Sequence, residues 1–123
     1  MQIFKFGGAS VKDAASVRNI SSILRSVNSN NTIVVISAMG KMTNLLEELT
    51  GAYFFGNNPV QPVFEKVKSY HLEIAGALFS DRRHSVFNDL ENIFVEMSWA
   101  LEEEPAFSYD HHYDQIVSQG EML

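Results

Sequence analysis

Apolar and polar positions follow two different rhythms along this chain. Residues 2–6, Gln-Ile-Phe-Lys-Phe, are a short apolar run ending in Gly7-Gly8, the pattern of a buried strand that stops at a tight turn. Beyond the glycines the rhythm becomes helical: Val11, Ala14, Val17, Ile20, Ile23, Leu24 and Val27 recur at three- and four-residue spacing. Ser10-Val-Lys-Asp13 fits a capping box at the start of that helix, and Asn28-Ser-Asn-Asn31 breaks it. Ile33-Val-Val-Ile36 is a β-branched run of the kind buried on both faces in a parallel sheet. Strand, helix and strand within residues 2–36 make a βαβ unit.

After residue 36 the pattern is helical. Ser37-Ala-Met-Gly-Lys41 reads as a loop, and Leu45, Leu46, Leu49, Ala52 and Tyr53 share one helix face before the turn Gly56-Asn-Asn-Pro59. A second helix carries Val63, Val67, Tyr70, Ile74 and Leu78, with Pro62 tolerated in its first turn. Asp81 is placed to cap a third, bearing Val86, Leu90, Ile93, Phe94, Met97 and Leu101. Ser108 is placed to cap a fourth, bearing Tyr109, Tyr113, Ile116 and Val117. The fold class is therefore α/β: an N-terminal βαβ unit of a mainly parallel sheet followed by a largely helical segment. Two strands do not complete a parallel sheet, which leads us to expect that residues 1–123 are one part of a larger domain. A sheet paired between two copies is the competing expectation.

Composition narrows the function. The 123 residues contain no cysteine, which excludes a disulfide framework, a thiolate metal site and a thiol nucleophile. No apolar run approaches the roughly 20 residues needed to cross a bilayer, and the first residues lack the basic-then-apolar order of a signal peptide, so a cytoplasmic chain without a membrane partner is expected. Charge is uneven. Residues 1–44 hold five cations and one acid, net +4, whereas residues 45–123 hold four cations and fourteen acids, net −10. A basic first third suits small anions or phosphates, and the acidic remainder argues against a nucleic-acid partner.

Lys5 is the first candidate for chemistry. It interrupts an apolar strand at the edge where α/β proteins place ligands, beside Gly7-Gly8 and the polar start of a helix at Ser10. A cation, a turn with free N–H groups and a helix N-terminus in one place form a phosphate site. Neither G-x-x-x-x-G-K-[ST] nor G-x-G-x-x-G occurs, so a nucleotide would be held by another design. The second loop, Ser37 to Asn44, leaves the same sheet edge and offers neutral donors from Ser37, Thr43 and Asn44 that suit a carboxylate, although Thr43 or Asn44 taken alone reads better as a plain helix cap. Glu121 beside Gly120 is a weak signal alone. His111 and His112 diverge by about 100° on a helix, and His71 and His84 have no partner pattern, so no metal ligand is assigned to the protein. Trp99 and the Phe and Met residues are expected in the core.

Three segments occur in order: Lys-Phe-Gly-Gly-Ala-Ser-Val, Ser-Ala-Met-Gly-Lys-Met-Thr-Asn-Leu-Leu and Val-Ser-Gln-Gly-Glu-Met-Leu. Together they resemble the N-terminal part of an aspartate kinase catalytic domain, in the amino acid kinase family. Ala9 and Met42 depart from that family's usual pattern, Ala9 removing a hydroxyl near the phosphates. The resemblance implies transfer of the ATP γ-phosphoryl to the β-carboxylate of L-aspartate, in biosynthesis of the amino acids derived from aspartate. It implies that Lys5 is catalytic and contacts the phosphates with Gly7, Gly8 and Ser10. It likewise implies that Ser37, Ala38, Thr43 and Glu121 meet the substrate, Glu121 as partner of the aspartate ammonium. Mg²⁺ would arrive with ATP, held chiefly by phosphate oxygens, and a homo-oligomer is implied for the full-length enzyme. The adenine-binding half and the regulatory ACT domains of the family are not in these residues, so the isolated chain is expected to be inactive. Two other readings stay open: the kinase end of a bifunctional aspartokinase–homoserine dehydrogenase, and a non-catalytic binding or assembly module retaining half the fold.

Overall fold

The computed structural model describes residues 1–27 and 29–123. The helix break assigned to Asn28 lies outside the described residues. Strand β1 (Gln2–Phe6) pairs in parallel with β2 (Thr32–Ile36), with Lys5 opposite Val35 and Phe6 opposite Ile36. Helix α1 (Ala14–Ser26) connects them. The period-2 alternation of a strand sends Phe4 and Phe6 to one face, where they pack with Val11, Val17, Ile20, Ile23 and Leu24. Ile3 and Lys5 point to the opposite face, which none of the described residues covers, and both are exposed.

That geometry corrects the expectation that residues 33–36 are buried on both faces. Ile33, Val34, Val35 and Ile36 are 47%, 38%, 44% and 51% exposed. β-Branched residues suit a strand flanked on both sides, but burial needs neighbours. Among the described residues the sheet has two strands and α1 packs over β1, so β2 has one strand neighbour and no helix cover.

The remaining helices, α2 (Met42–Phe55), α3 (Val60–Leu78), α4 (Ser85–Glu102) and α5 (Tyr109–Met122), form the main core. Their apolar stripes interlock around Leu46, Leu49, Val67 and Phe94, each at most 1% exposed. Burying side chains of this size contributes roughly 1.5–3 kcal/mol apiece. Thr50, fully buried on α2, satisfies its hydroxyl by donating to the Leu46 carbonyl at 2.8 Å. Arg18 on α1 donates to the Ala77 carbonyl at the end of α3, joining the βαβ unit to the bundle.

Helix starts differ from expectation at two of three caps. Ser10 lies in a 3₁₀ turn (Gly8–Val11), and α1 begins only at Ala14, with Asp13 accepting from the Ser16 N–H at 2.8 Å. That hydrogen bond holds the Asp13 carboxyl below the usual range. Asp81 does not cap α4; it accepts from the Arg83 N–H at 3.0 Å, and His84 caps instead, its Nδ1 accepting from the Val86 N–H at 3.2 Å. Ser108 caps α5 as expected, accepting from the His111 N–H. Trp99 is not in the core but 65% exposed, and Phe55, Phe107 and Met122 are exposed as well.

Candidate active site

Both loops that leave the sheet meet at its C-terminal edge. The Gly7 carbonyl accepts the Ser10 N–H at 2.9 Å, which closes the first turn. The Ser37 N–H continues the strand ladder by donating to the Phe6 carbonyl at 3.0 Å. One residue further along the first loop, the Gly8 carbonyl accepts the Gly40 N–H at 2.9 Å. The approach is as close as backbone allows. A Cβ on Gly8 would collide with the Gly40 carbonyl oxygen and lie 3.0 Å from that of Ala38. Gly40 has φ +55°, in the left-handed region that glycine adopts without strain.

Lys5 is the second-last residue of β1, two positions before this turn. Its strand position is the expected one, but its surroundings are not. The ammonium lies on the uncovered sheet face and is exposed, so no buried charge needs a partner here. Ser10 is exposed on the 3₁₀ turn, which faces a shallow hollow of about 460 Å³ lined partly by Ala9, Ser10, Lys12 and Ser16.

The second loop enters α2 at Met42, following Lys41, and no side chain caps the helix. Thr43 and Asn44 are therefore not the cap, and both are exposed in the first turn. Ala38 is buried, and α5 crosses directly over it: a Cβ on Gly120 would lie 3.3 Å from Ala38 Cβ and 2.6 Å from Leu46 Cδ1. Gly120 does not end a helix. It lies inside α5 and lets that helix press onto the second loop, which sets Glu121, exposed, on the adjoining turn. Contacts thus run without a gap from the Gly7-Gly8 turn through Ala38 and Gly40 to Gly120, and three segments far apart in sequence are neighbours in space.

One contributor carries no sequence signal of its own, and a second carries only a faint one. Tyr70, which reads as one more residue on a helix face, reaches from α3 to donate its hydroxyl to the Lys12 carbonyl. That hydroxyl also occupies the space beside Gly40. Burial, with the Asp13 charge adding to it, raises the Tyr70 pKa, so the phenol keeps its proton and remains a donor. Gly120 could have been noticed as a glycine inside an otherwise helical pattern. Among the described residues, no three His, Asp or Glu side chains gather to hold a metal ion. Asp13, the acid nearest the turn in sequence, is engaged by the Ser16 N–H.

The fold and this edge define a partial α/β kinase-like segment. No family model matches the chain. Among curated proteins it is similar to the chloroplastic aspartokinase 2 of Arabidopsis thaliana, 34% identical over 79 residues, which are 62% of this chain and 14% of that protein. Among solved structures it is similar to Escherichia coli aspartokinase III in two states. The T-state complex with lysine and aspartate superimposes with TM-score 0.70 at 28% identity, and the R-state complex with aspartate and ADP with TM-score 0.70 at 27% identity. Each match covers 99% of this chain and 26% of the enzyme. The Clostridium acetobutylicum aspartate kinase shares the fold, with TM-score 0.70 at 22% identity and the same coverage. The chain therefore has an aspartokinase-like fold, as an aspartokinase-related segment spanning about a quarter of the solved enzymes it matches.

Proposed function

We propose that this chain supplies the phosphate-contacting and aspartate-contacting edge of an aspartate kinase, which transfers the γ-phosphoryl group of ATP to the β-carboxylate of L-aspartate. The observation that carries the reading is the Gly40 N–H to Gly8 carbonyl bond, which joins the two loops at the sheet edge. The similarity to E. coli aspartokinase III complexes with aspartate and with ADP supports the choice of substrates.

In this reading the free N–H groups of the Gly7-Gly8 turn and the Ser10 hydroxyl take the phosphates, and Lys5 approaches from the adjacent strand position to neutralise charge on the transferring group. Exposure of Lys5 leaves it free to turn toward an anion. Ser37 and Ala38 line the meeting point of the two substrates. Thr43, not used as a helix cap, offers its hydroxyl to aspartate, and Glu121 faces the substrate ammonium. The attacking carboxylate is already ionised, so no general base is needed; phosphoryl transfer requires mainly alignment and charge stabilisation. Mg²⁺ enters with ATP, bound to phosphate oxygens.

The reading is tested by titrating isotope-labelled chain with MgATP and, separately, with L-aspartate. MgATP is expected to shift the amide signals of Gly7, Gly8 and Ser10, and aspartate those of Ala38 and Thr43. MgATP that leaves all three turn amides unmoved would refute the site. The isolated chain is expected to show no phosphorylation of aspartate. Within a polypeptide of full aspartokinase length, Lys5→Ala should reduce turnover strongly, and Glu121→Ala should act mainly on the KM for aspartate.

A further inference from the structure

The two loops of the proposed site are joined by one backbone hydrogen bond, so something must hold them at that separation when an anion pulls on the turn. Tyr70 is placed to do so. Its hydroxyl donates to the carbonyl of Lys12, the residue that follows the 3₁₀ turn, and thereby fastens the far end of the first loop to α3. The same oxygen lies 2.5 Å from where a Cβ of Gly40 would be, so it abuts the left-handed residue of the second loop. Below the hydroxyl the ring makes an edge contact with His71, itself buried against Phe94 of α4. The phenol therefore stands on the main core and touches both loops of the site, one by a hydrogen bond and the other by contact.

We infer that Tyr70 is a positioning residue for phosphate binding: from α3 it fixes the spacing between the Gly7–Lys12 turn and the Gly40 loop. The inference rests on the proposed phosphate site and adds to it a residue that would not itself touch the ligand. It also assigns a reason for glycine at position 40 beyond φ, since any side chain there would displace the hydroxyl.

The test uses the 123-residue chain, with tripolyphosphate as probe and Tyr70→Phe as the variant, which keeps the ring and removes the hydroxyl. In the unaltered chain, tripolyphosphate should shift the Gly7, Gly8 and Gly40 amides. Tyr70→Phe should weaken that binding about three- to tenfold, the scale of one lost hydrogen bond. It should also speed hydrogen exchange of the Gly40 amide several-fold, with the circular dichroism spectrum unchanged. Gly40→Ala should weaken binding as well, and adding Tyr70→Phe to it should cost less than Tyr70→Phe does alone, because the two changes disturb one contact. Equal affinity and equal Gly40 exchange in Tyr70→Phe and the unaltered chain would overturn the role of Tyr70 while leaving the phosphate site intact. Absence of any tripolyphosphate-induced shift in the unaltered chain would instead refute the site, and this inference with it.

Discussion

Gly120→Ala tests whether α5 is pressed against the second loop. On helix propensity alone the change should stabilise, since alanine is favoured over glycine by roughly 0.8–1 kcal/mol in a helix interior. Packing opposes it. The new methyl would lie 2.6 Å from Leu46 Cδ1 and 3.3 Å from Ala38 Cβ, whereas carbon atoms rest at roughly 3.5–4 Å. Leu46 is completely buried, so its methyl cannot swing into solvent, and about 1 Å of movement must be absorbed by α5 or by the core. Overpacking of this kind costs about 1–3 kcal/mol. The two effects together leave Gly120→Ala neutral to roughly 2 kcal/mol destabilising. Urea unfolding reads the difference directly from the midpoint, provided the slope is unchanged. A double-mutant cycle isolates the cause. Leu46→Ala alone should cost about 2–5 kcal/mol, and in that background Gly120→Ala should become stabilising, because the opposing methyl is gone. If Gly120→Ala raised the midpoint equally in both backgrounds, α5 would not be in contact with Leu46, and the placement of Glu121 beside the loop would lose its support.

His71 is buried, donates from Nδ1 to the Val67 carbonyl at 2.8 Å and leaves Nε2 without a partner among the described residues. Burial pushes its pKa below the ordinary value of 6.5, so its contribution to stability is fully present above about pH 6.5 and is lost as pH falls toward the lowered folded value, at no more than about 1.4 kcal/mol per pH unit. Urea midpoints between pH 7.5 and pH 5 should show this slope, and His71→Leu should flatten it; an identical slope in the variant refutes the assignment. The four exposed apolar residues of β2 should make the chain associate as its concentration rises, and Val34→Lys should reduce that association in light scattering. A monodisperse monomer at every concentration would count against it. Trp99, the single tryptophan, should have water-like emission and be open to iodide quenching; protection from iodide would mean that the outer face of α4 is covered in solution.

The bundle was legible because its stripes are local and redundant. Four or more apolar residues at helical spacing define each buried face, and Leu46, Val67, Phe94 and Ile116 fall on them. The same periodicity, followed strictly, sets Trp99 two residues beyond Met97 and hence about 200° away, on the opposite side of α4. Burial of β2 was not legible, for a different reason. A run such as Ile33-Val-Val-Ile36 records the environment a strand suits, whereas its exposure depends on which other elements are present. Caps failed where a short polar segment offers several suitable side chains. Between Ser10 and Asp13, and between Asp81 and His84, the later residue caps because an intervening turn uses the earlier position.

In the candidate site, the side chains with recognisable chemistry and the residues that hold them in place are different sets. Lys5, Ser10, Thr43 and Glu121 are all exposed, and none of them fixes the geometry. The geometry comes from Gly8 and Gly40, which let two backbones touch, from Gly120, which lets a helix touch them, and from Tyr70, which ties them to the core. Glycines act here through the absence of a side chain and Tyr70 through a single hydroxyl, so neither leaves a charge or hydropathy pattern to be read. Loss of a chemical residue should therefore alter binding or turnover with stability preserved. Loss of a glycine at positions 8, 40 or 120 should move stability and ligand affinity together, and that separation is measurable in the same titrations and unfolding curves.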